Sequence, residues 1–168
     1  HYWAARAGRD ALEIEWDLGA LAGLDSSALA REYLALAKTP GLPAASAGKA
    51  QEKLAAARTV LESVYELPYL AHAAMEPLNC TVRLSAERCE IWTGTQFQTL
   101  AQLAAARVAG LEPAQVTVHT TFLGGAFGRR ANPANDFVVE AVHVAKAAGM
   151  PVKTVWSRED DMRGGYYR

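Results

Sequence analysis

Between Cys89 and Trp156 short apolar runs alternate with two helix-length segments, each closed by a glycine, and this alternation constrains the fold more than any other feature. The runs at 89–93, 115–122 and 152–156 read as strands. The segments 96–109 and 134–148 read as helices that stop at Gly110 and Gly149. Glycine there accepts a left-handed backbone without a Cβ penalty, which makes it a common helix terminator. Strand, helix, strand, helix, strand predicts a β-α-β-α-β lobe with its three strands parallel and its crossovers right-handed.

A hairpin precedes this lobe. Arg83-Leu84 is followed by a turn at Ser85-Ala86-Glu87-Arg88, which sets Leu84 opposite Cys89, Arg83 opposite Glu90 and Val82 opposite Ile91. Opposite charges then face each other across the ladder, which favours that register. The same register leaves Cys80 opposite Thr93, so Cys80 and Cys89 are expected as two reduced structural thiols rather than a disulfide.

The earlier part of the chain is patterned differently. Ala11 to Trp16 alternates apolar and acidic residues and is expected as a strand. Ser26 or Ser27 can cap a helix that the Thr39-Pro40-Gly41-Leu42-Pro43 run stops. A short Ala-rich helix is expected over 46–57, then a strand over 59–67 with alternating Val60, Glu62, Val64 and Glu66. The fold class is therefore α/β (α+β): the β-α-β-α-β lobe with parallel strands plus a smaller N-terminal α/β piece. The division falls at 1–58 and 59–168.

Composition narrows function by exclusion. The 168 residues can bury about 70% of the unfolded surface, so neither a metal nor a disulfide is needed for folding. Net charge is −1, which gives no electrostatic footprint for nucleic acid or an anionic membrane. No run is long and apolar enough for a membrane span, and no signal-peptide pattern is present. The chain opens at His1 and ends at Arg168, both abruptly, as expected of a piece of something longer, so the compartment is left open.

Three segments could carry chemistry. Gly124-Gly125-Ala126-Phe127-Gly128-Arg129-Arg130 lies at the carboxyl end of a strand, where open α/β sheets bind ligands. Its glycines permit positive φ and close backbone approach, its N–H groups can form an anion-binding concavity, and its arginines suit phosphate. The Phe among glycines suggests a ring beside a planar ligand. A plain strand-to-helix connection with solvated arginines is the bland alternative. Trp92-Thr93-Gly94-Thr95-Gln96 is a second strand end, where Gln96 could offer an amide to a polar ligand, or Thr95 or Gln96 could simply cap the helix. In His72-Ala73-Ala74-Met75-Glu76-Pro77-Leu78-Asn79-Cys80, His72 and Glu76 are four apart, yet Pro68 and Pro77 bracket them too tightly for a secure helix. Hydrogen-bonded structural residues are a better default there than a zinc site. No nucleophile elbow and no general acid–base pair can be read.

These three segments, in this order, together with Trp156-Ser157-Arg158-Glu159-Asp160, resemble the molybdenum hydroxylase (xanthine oxidase) family large subunit. The His-Ala-x-Met-Glu-Pro-Leu-Asn-Cys and Phe-Gly-Arg-Arg wording is similar to the branch containing isoquinoline 1-oxidoreductase and membrane-associated aldehyde dehydrogenases. The stretch from Trp3 to Trp16 is similar to the end of that branch's hammerhead domain, which would make 1–58 the hammerhead end plus helical linker, and 59–168 the first part of the molybdopterin-binding domain.

The resemblance implies a parent oxidoreductase that hydroxylates N-heterocycles or oxidises aldehydes with oxygen from water. It implies a molybdopterin (molybdenum cofactor, with a dinucleotide form among the options), and iron–sulfur clusters on a partner subunit, or a cytochrome, as electron acceptor. By the same resemblance Gln96 lies close to the molybdenum oxo group, and Gly124, Gly125, Phe127 and Gly128 lie against the metal and its pterin. Purine-specific relatives carry an acidic residue just after this loop, where this chain has Arg130-Ala131, which argues against purine specificity. The family's catalytic Glu lies far downstream, beyond these residues, so no catalytic residue is assigned in this chain and the piece alone is expected to be inactive. The alternative is a stand-alone non-catalytic α/β module that binds an anionic ligand or a partner protein through its Gly-Arg loop.

Overall fold

The computed structural model describes residues 1–167, and the chain divides into two units, 1–68 and 69–168. In the first unit lie α1 (Tyr2–Asp10), a 3-10 turn (Gly19–Leu21), α2 (Ser26–Leu36) and α3 (Ala50–Ala55). The cap of α2 is Asp25, one residue before the expected serines, whose carboxylate accepts the Ala28 N–H at 2.8 Å.

The strands expected at 11–16 and 59–67 do not form. Alternation fixes which face of a strand is apolar, but a strand's N–H and C=O groups need a neighbouring strand to pair with. None of residues 1–68 is buried, so no core face is present to select that alternation. The N-terminal piece described here is helical.

The second unit contains β1 (Asn79–Leu84), β2 (Cys89–Thr93), α4 (Gln98–Ala109), β3 (Val116–Thr120), α5 (Asp136–Ala148), β4 (Val152–Val155) and α6 (Arg158–Arg163). Its sheet has the order β3-β2-β1-β4. β2 and β3 pair in parallel from Cys89 opposite Val116 to Thr93 opposite Thr120. β1 runs antiparallel to both β2 and β4. So β2, β3 and β4 do share one direction, as the alternation predicts, but the hairpin strand β1 is inserted between β2 and β4. The sheet is mixed, because a two-strand hairpin feeds the lobe from its centre. The hairpin register is the expected one: Val82 with Ile91, Arg83 with Glu90 and Leu84 with Cys89.

Helices α4 and α5 pack on one face of this sheet. Leu78, Cys80, Val82, Cys89, Ile91, Val116, Phe137, Val138, Ala141 and Val142 form the core between the layers. Each large apolar side chain buried in this way contributes about 1.5–3 kcal/mol. Alanines 101, 105 and 106 of α4 are buried too, which lets that helix lie close to the sheet. Both helices end in left-handed glycines, Gly110 at φ 77° and Gly149 at φ 64°.

This topology sets the site. Because β1 runs against its neighbours, the segment that enters it lies at the same sheet edge as the exits of β2, β3 and β4. All four motifs singled out in the sequence therefore meet there.

Candidate functional site

The edge is stitched together by Glu76 and Arg130. The Arg130 side chain is only 1% exposed. Its Nη1 donates to the Gly94 carbonyl at 3.1 Å, and its Nη2 donates to Glu76 Oε2 at 2.8 Å. Its own carbonyl accepts from the Gln96 N–H at 3.1 Å and from Thr95 Oγ1 at 3.3 Å. Thus Arg130, from the loop after β3, bonds to both the exit of β2 and the segment before β1.

Glu76 completes the arrangement. Its Oε2 also accepts the Gly124 N–H at 2.9 Å, its backbone N–H donates to the Gly124 carbonyl at 3.0 Å, and Oε1 accepts from Asn79 at 2.9 Å. Burial pushes the Glu76 carboxyl up, but the Gly124 N–H, the Asn79 amide and the Arg130 guanidinium outweigh that and hold it below the ordinary carboxylate value. The approach is so close that a Cβ on Gly124 would fall 2.4 Å from Glu76 Cβ, which explains the first glycine of the loop. The pairing of Glu76 with Arg130 lies outside the sequence expectations, which offer Arg130 as a phosphate donor and weigh Glu76 with His72. The signal that could have found them is a single acid in the otherwise uncharged 73–80 segment and a pair of arginines closing the Gly-rich loop.

The arginines correct the expectation of phosphate donors. Arg129 is buried and holds Asp136, at the start of α5, through both terminal nitrogens at 2.8 and 2.6 Å. Its guanidinium also lies 5.5 Å from the Trp156 ring centroid and 5.8 Å from that of Tyr166. Arg158 reaches the carbonyls of Ala74 and Met75, both at 2.7 Å, and Asp161 at 2.8 Å. Carboxylates at loop and helix starts, together with bare loop carbonyls, draw these guanidiniums inward, where a buried cation must be paired. A ligand-binding role for Arg129 and Arg130 is lost, and with it the chief donors of the stand-alone anion-binding module. Ser157 caps α6 in a capping box with Asp160, so this motif too is structural.

Gln96, Phe127 and the loop glycines remain, and their bonding is lighter. Gln96 is exposed, and it is Thr95, through an Oγ1 that accepts the Phe97 N–H at 3.1 Å, that shapes the turn into α4. Phe127 is 65% exposed and held at φ 53°, a left-handed conformation that a bulky residue adopts only when its surroundings impose it. Gly125 and Gly128 sit at φ 96° and 98°, and a Cβ on Gly128 would meet nothing within 4 Å. The space over the Gly128 backbone is open, and the Phe127 ring and the Gln96 side chain are both exposed. No group of three or more His, Cys, Asp or Glu side chains that could hold a metal ion occurs among the described residues.

Comparison with known proteins decides the family. Residues 37–168 match the molybdopterin cofactor-binding domain. The chain belongs to that family. It is 40% identical over 97 residues to the isoquinoline 1-oxidoreductase subunit beta of Brevundimonas diminuta, covering 57% of this chain and 12% of the relative. It is 30% identical over 171 residues to the membrane-bound aldehyde dehydrogenase [pyrroloquinoline-quinone] of Gluconacetobacter polyoxogenes, covering 99% of this chain and 22% of the relative. The aldehyde oxidoreductase structure from Desulfovibrio gigas superposes with a TM-score of 0.60 at 24% identity, over 72% of this chain and 13% of that one, and so shares the fold.

The chain thus spans less than a quarter of the length of either relative, 12% of the first and 22% of the second. No helix among the described residues is long and apolar enough to cross a membrane. The network of Glu76, Arg130 and Gly124 lies wholly within the matched residues.

Proposed function

We propose that this chain is the cofactor-facing beginning of a longer molybdenum-dependent oxidoreductase subunit, with 1–58 closing a preceding domain and 59–168 opening the molybdopterin-binding one. Gln96, Gly124, Gly125, Phe127 and Gly128 are its contacts to the cofactor. The observation that carries this reading is the Gln96 N–H to Arg130 carbonyl hydrogen bond at 3.1 Å, which ties the exposed glutamine to the end of the Gly-Phe-Gly loop.

The residues suit the group. Gln96 supplies an amide that can donate and accept, and the glycines let backbone N–H groups come close to an anionic centre. The Phe127 ring offers a flat apolar wall. When bound, the cofactor takes two electrons from the substrate. The chain's own share is orientation by fixed dipoles that need no rearrangement during turnover.

The substrate class proposed is an N-heterocycle or an aldehyde, which the names of the two relatives support, and water is the oxygen source. Electrons pass to a partner with iron–sulfur clusters or to a cytochrome. The fragment by itself is inactive. The test is the molybdenum content per polypeptide of the full-length native protein that contains this sequence, purified from its source. Near-stoichiometric molybdenum is expected. A fresh native preparation without it, and with turnover supported by another cofactor, sinks the proposal.

A further inference from the structure

One motif is only partly used by the site: His72, which opens the segment leading to Glu76. Its Nδ1 is buried and has no hydrogen-bond partner in the structure. The same is true of Arg130 Nε, although both terminal nitrogens of that guanidinium are hydrogen-bonded. An unpaired buried polar atom costs about 1–3 kcal/mol, so two of them together call for an explanation.

Both residues line one small cavity, with Glu76, Ala126, Arg129 and Asp161 among its other walls. Its volume is about 10 Å³. A single water needs about 10–15 Å³ by the same measure and two to four polar partners, so the space takes one water and nothing larger. Charge points the same way. Arg130 is paired with Glu76, Arg129 with Asp136 and Asp161 with Arg158, so the walls offer no excess charge to an ion.

We infer that this cavity is a built site for one internal water that bridges Arg130 Nε to His72 Nδ1. Arg130 Nε can only donate, so the water oxygen accepts from it and its protons are free to be donated. One goes to His72 Nδ1, which places the ring proton of His72 on Nε2. His72 is then neither a metal ligand nor a spectator. It satisfies the unpartnered Nε of the guanidinium that bonds to the β2 exit and to Glu76, and it acts through solvent.

A high-resolution crystal structure of the full-length protein tests this, with the variants His72→Gln and His72→Leu. The wild type should show one density peak within hydrogen-bond distance, about 2.7–3.2 Å, of both Arg130 Nε and His72 Nδ1. The peak should persist in His72→Gln, whose amide oxygen can accept in place of the imidazole, and vanish in His72→Leu. A dry cavity in the wild type overturns the inference, as does a His72 ring turned so that Nδ1 leaves the cavity. So does a peak with metal-like anomalous scattering. If His72→Leu does not fold, loss of the peak in His72→Gln overturns the bridging role and its persistence upholds it. None of these outcomes depends on whether the protein carries molybdenum.

Discussion

Arg130 Nη2 and Glu76 Oε2 lie 2.8 Å apart, but the partners are unequally buried, with side-chain exposures of 1% and 34%. Burial pulls the Arg130 pKa down, whereas Glu76 and Asp161 nearby support its charge. Removing the acid therefore strands a buried cation, while removing the arginine leaves a carboxylate that still has the Gly124 N–H, the Asn79 amide and solvent. Glu76→Ala should cost about 3–5 kcal/mol, in the range for breaking a buried pair from one side. Arg130→Met should cost less, about 1–3 kcal/mol for lost charged hydrogen bonds. Urea unfolding of the full-length protein reads the order, and the reverse order contradicts this assignment of the buried partner.

The loop glycines should separate by mechanism. At Gly124 the obstacle is contact, a Cβ 2.4 Å from Glu76 Cβ, whereas at Gly128 space is open and only φ 98° opposes a side chain. Gly128→Ala should cost about 1–2 kcal/mol, the left-handed penalty alone. Gly124→Ala must displace Glu76, adding an overpacking cost of about 1–3 kcal/mol and weakening the Arg130 pair. Combining Gly124→Ala with Glu76→Ala should then be much less than additive, and additivity in a double-mutant cycle would refute the contact.

The sequence carried the hairpin register because two independent signals agreed there, apolar alternation and the Arg83–Glu90 charge pair, which forms with Arg83 Nε 2.8 Å from Glu90 Oε2. The two glycine-stopped helices were legible for the same reason: spacing and terminator coincide. The expected strands at 11–16 and 59–67 had alternation alone, and without a pairing partner the backbone had no reason to extend. The inward turn of Arg129 and Arg130 was illegible because it depends on Glu76 and Asp136, and Glu76 is 54 residues from Arg130 in the chain. Composition suggests solvated or ligand-facing arginines. Only the topology that brings the entry of β1 beside the exits of β2 and β3 shows that Arg130 meets Glu76.

Acid should weaken this edge. The folded-state pKa of Glu76 lies below its ordinary value, so its contribution to stability is present above the unfolded pKa, about 4.3, and is lost as pH falls through the folded value. A urea midpoint followed from neutral pH downward should fall less steeply in Glu76→Gln than in the wild type. Parallel curves would show that other carboxylates govern the acid limb.

The two cysteines should be inert in the native protein. Burial pushes the Cys80 thiol up to about 12 and the Cys89 thiol up to about 11, far above the ordinary value of about 8.5. Since the thiolate is the reactive form, a maleimide should label neither at mildly alkaline pH until denaturant is added. These raised values stabilise the fold below the ordinary thiol pKa, and that contribution declines as pH rises above it. Rapid labelling of either residue without denaturant would contradict their place in the core.

Gln96 is the position where folding and function should part most cleanly. Its structural bond is made by the backbone N–H, which donates to Arg130, while its exposed side chain is not needed for the turn that Thr95 Oγ1 shapes. Replacing an exposed side chain of this kind typically changes stability by no more than about 0.5 kcal/mol. In the full-length protein, Gln96→Ala should therefore keep the wild-type unfolding midpoint. Turnover should nonetheless fall about 100-fold or more, the scale on which a single preorganised donor acts. Thr95→Ala makes the complementary control: Thr95 is 2% exposed and bonds through its hydroxyl to Arg130 and Phe97, so its loss should lower the midpoint. Should Gln96→Ala retain full turnover, the exposed amide has no part in the reaction. Should it unfold the protein instead, Gln96 belongs with Arg130 and Glu76 among the residues that build this edge.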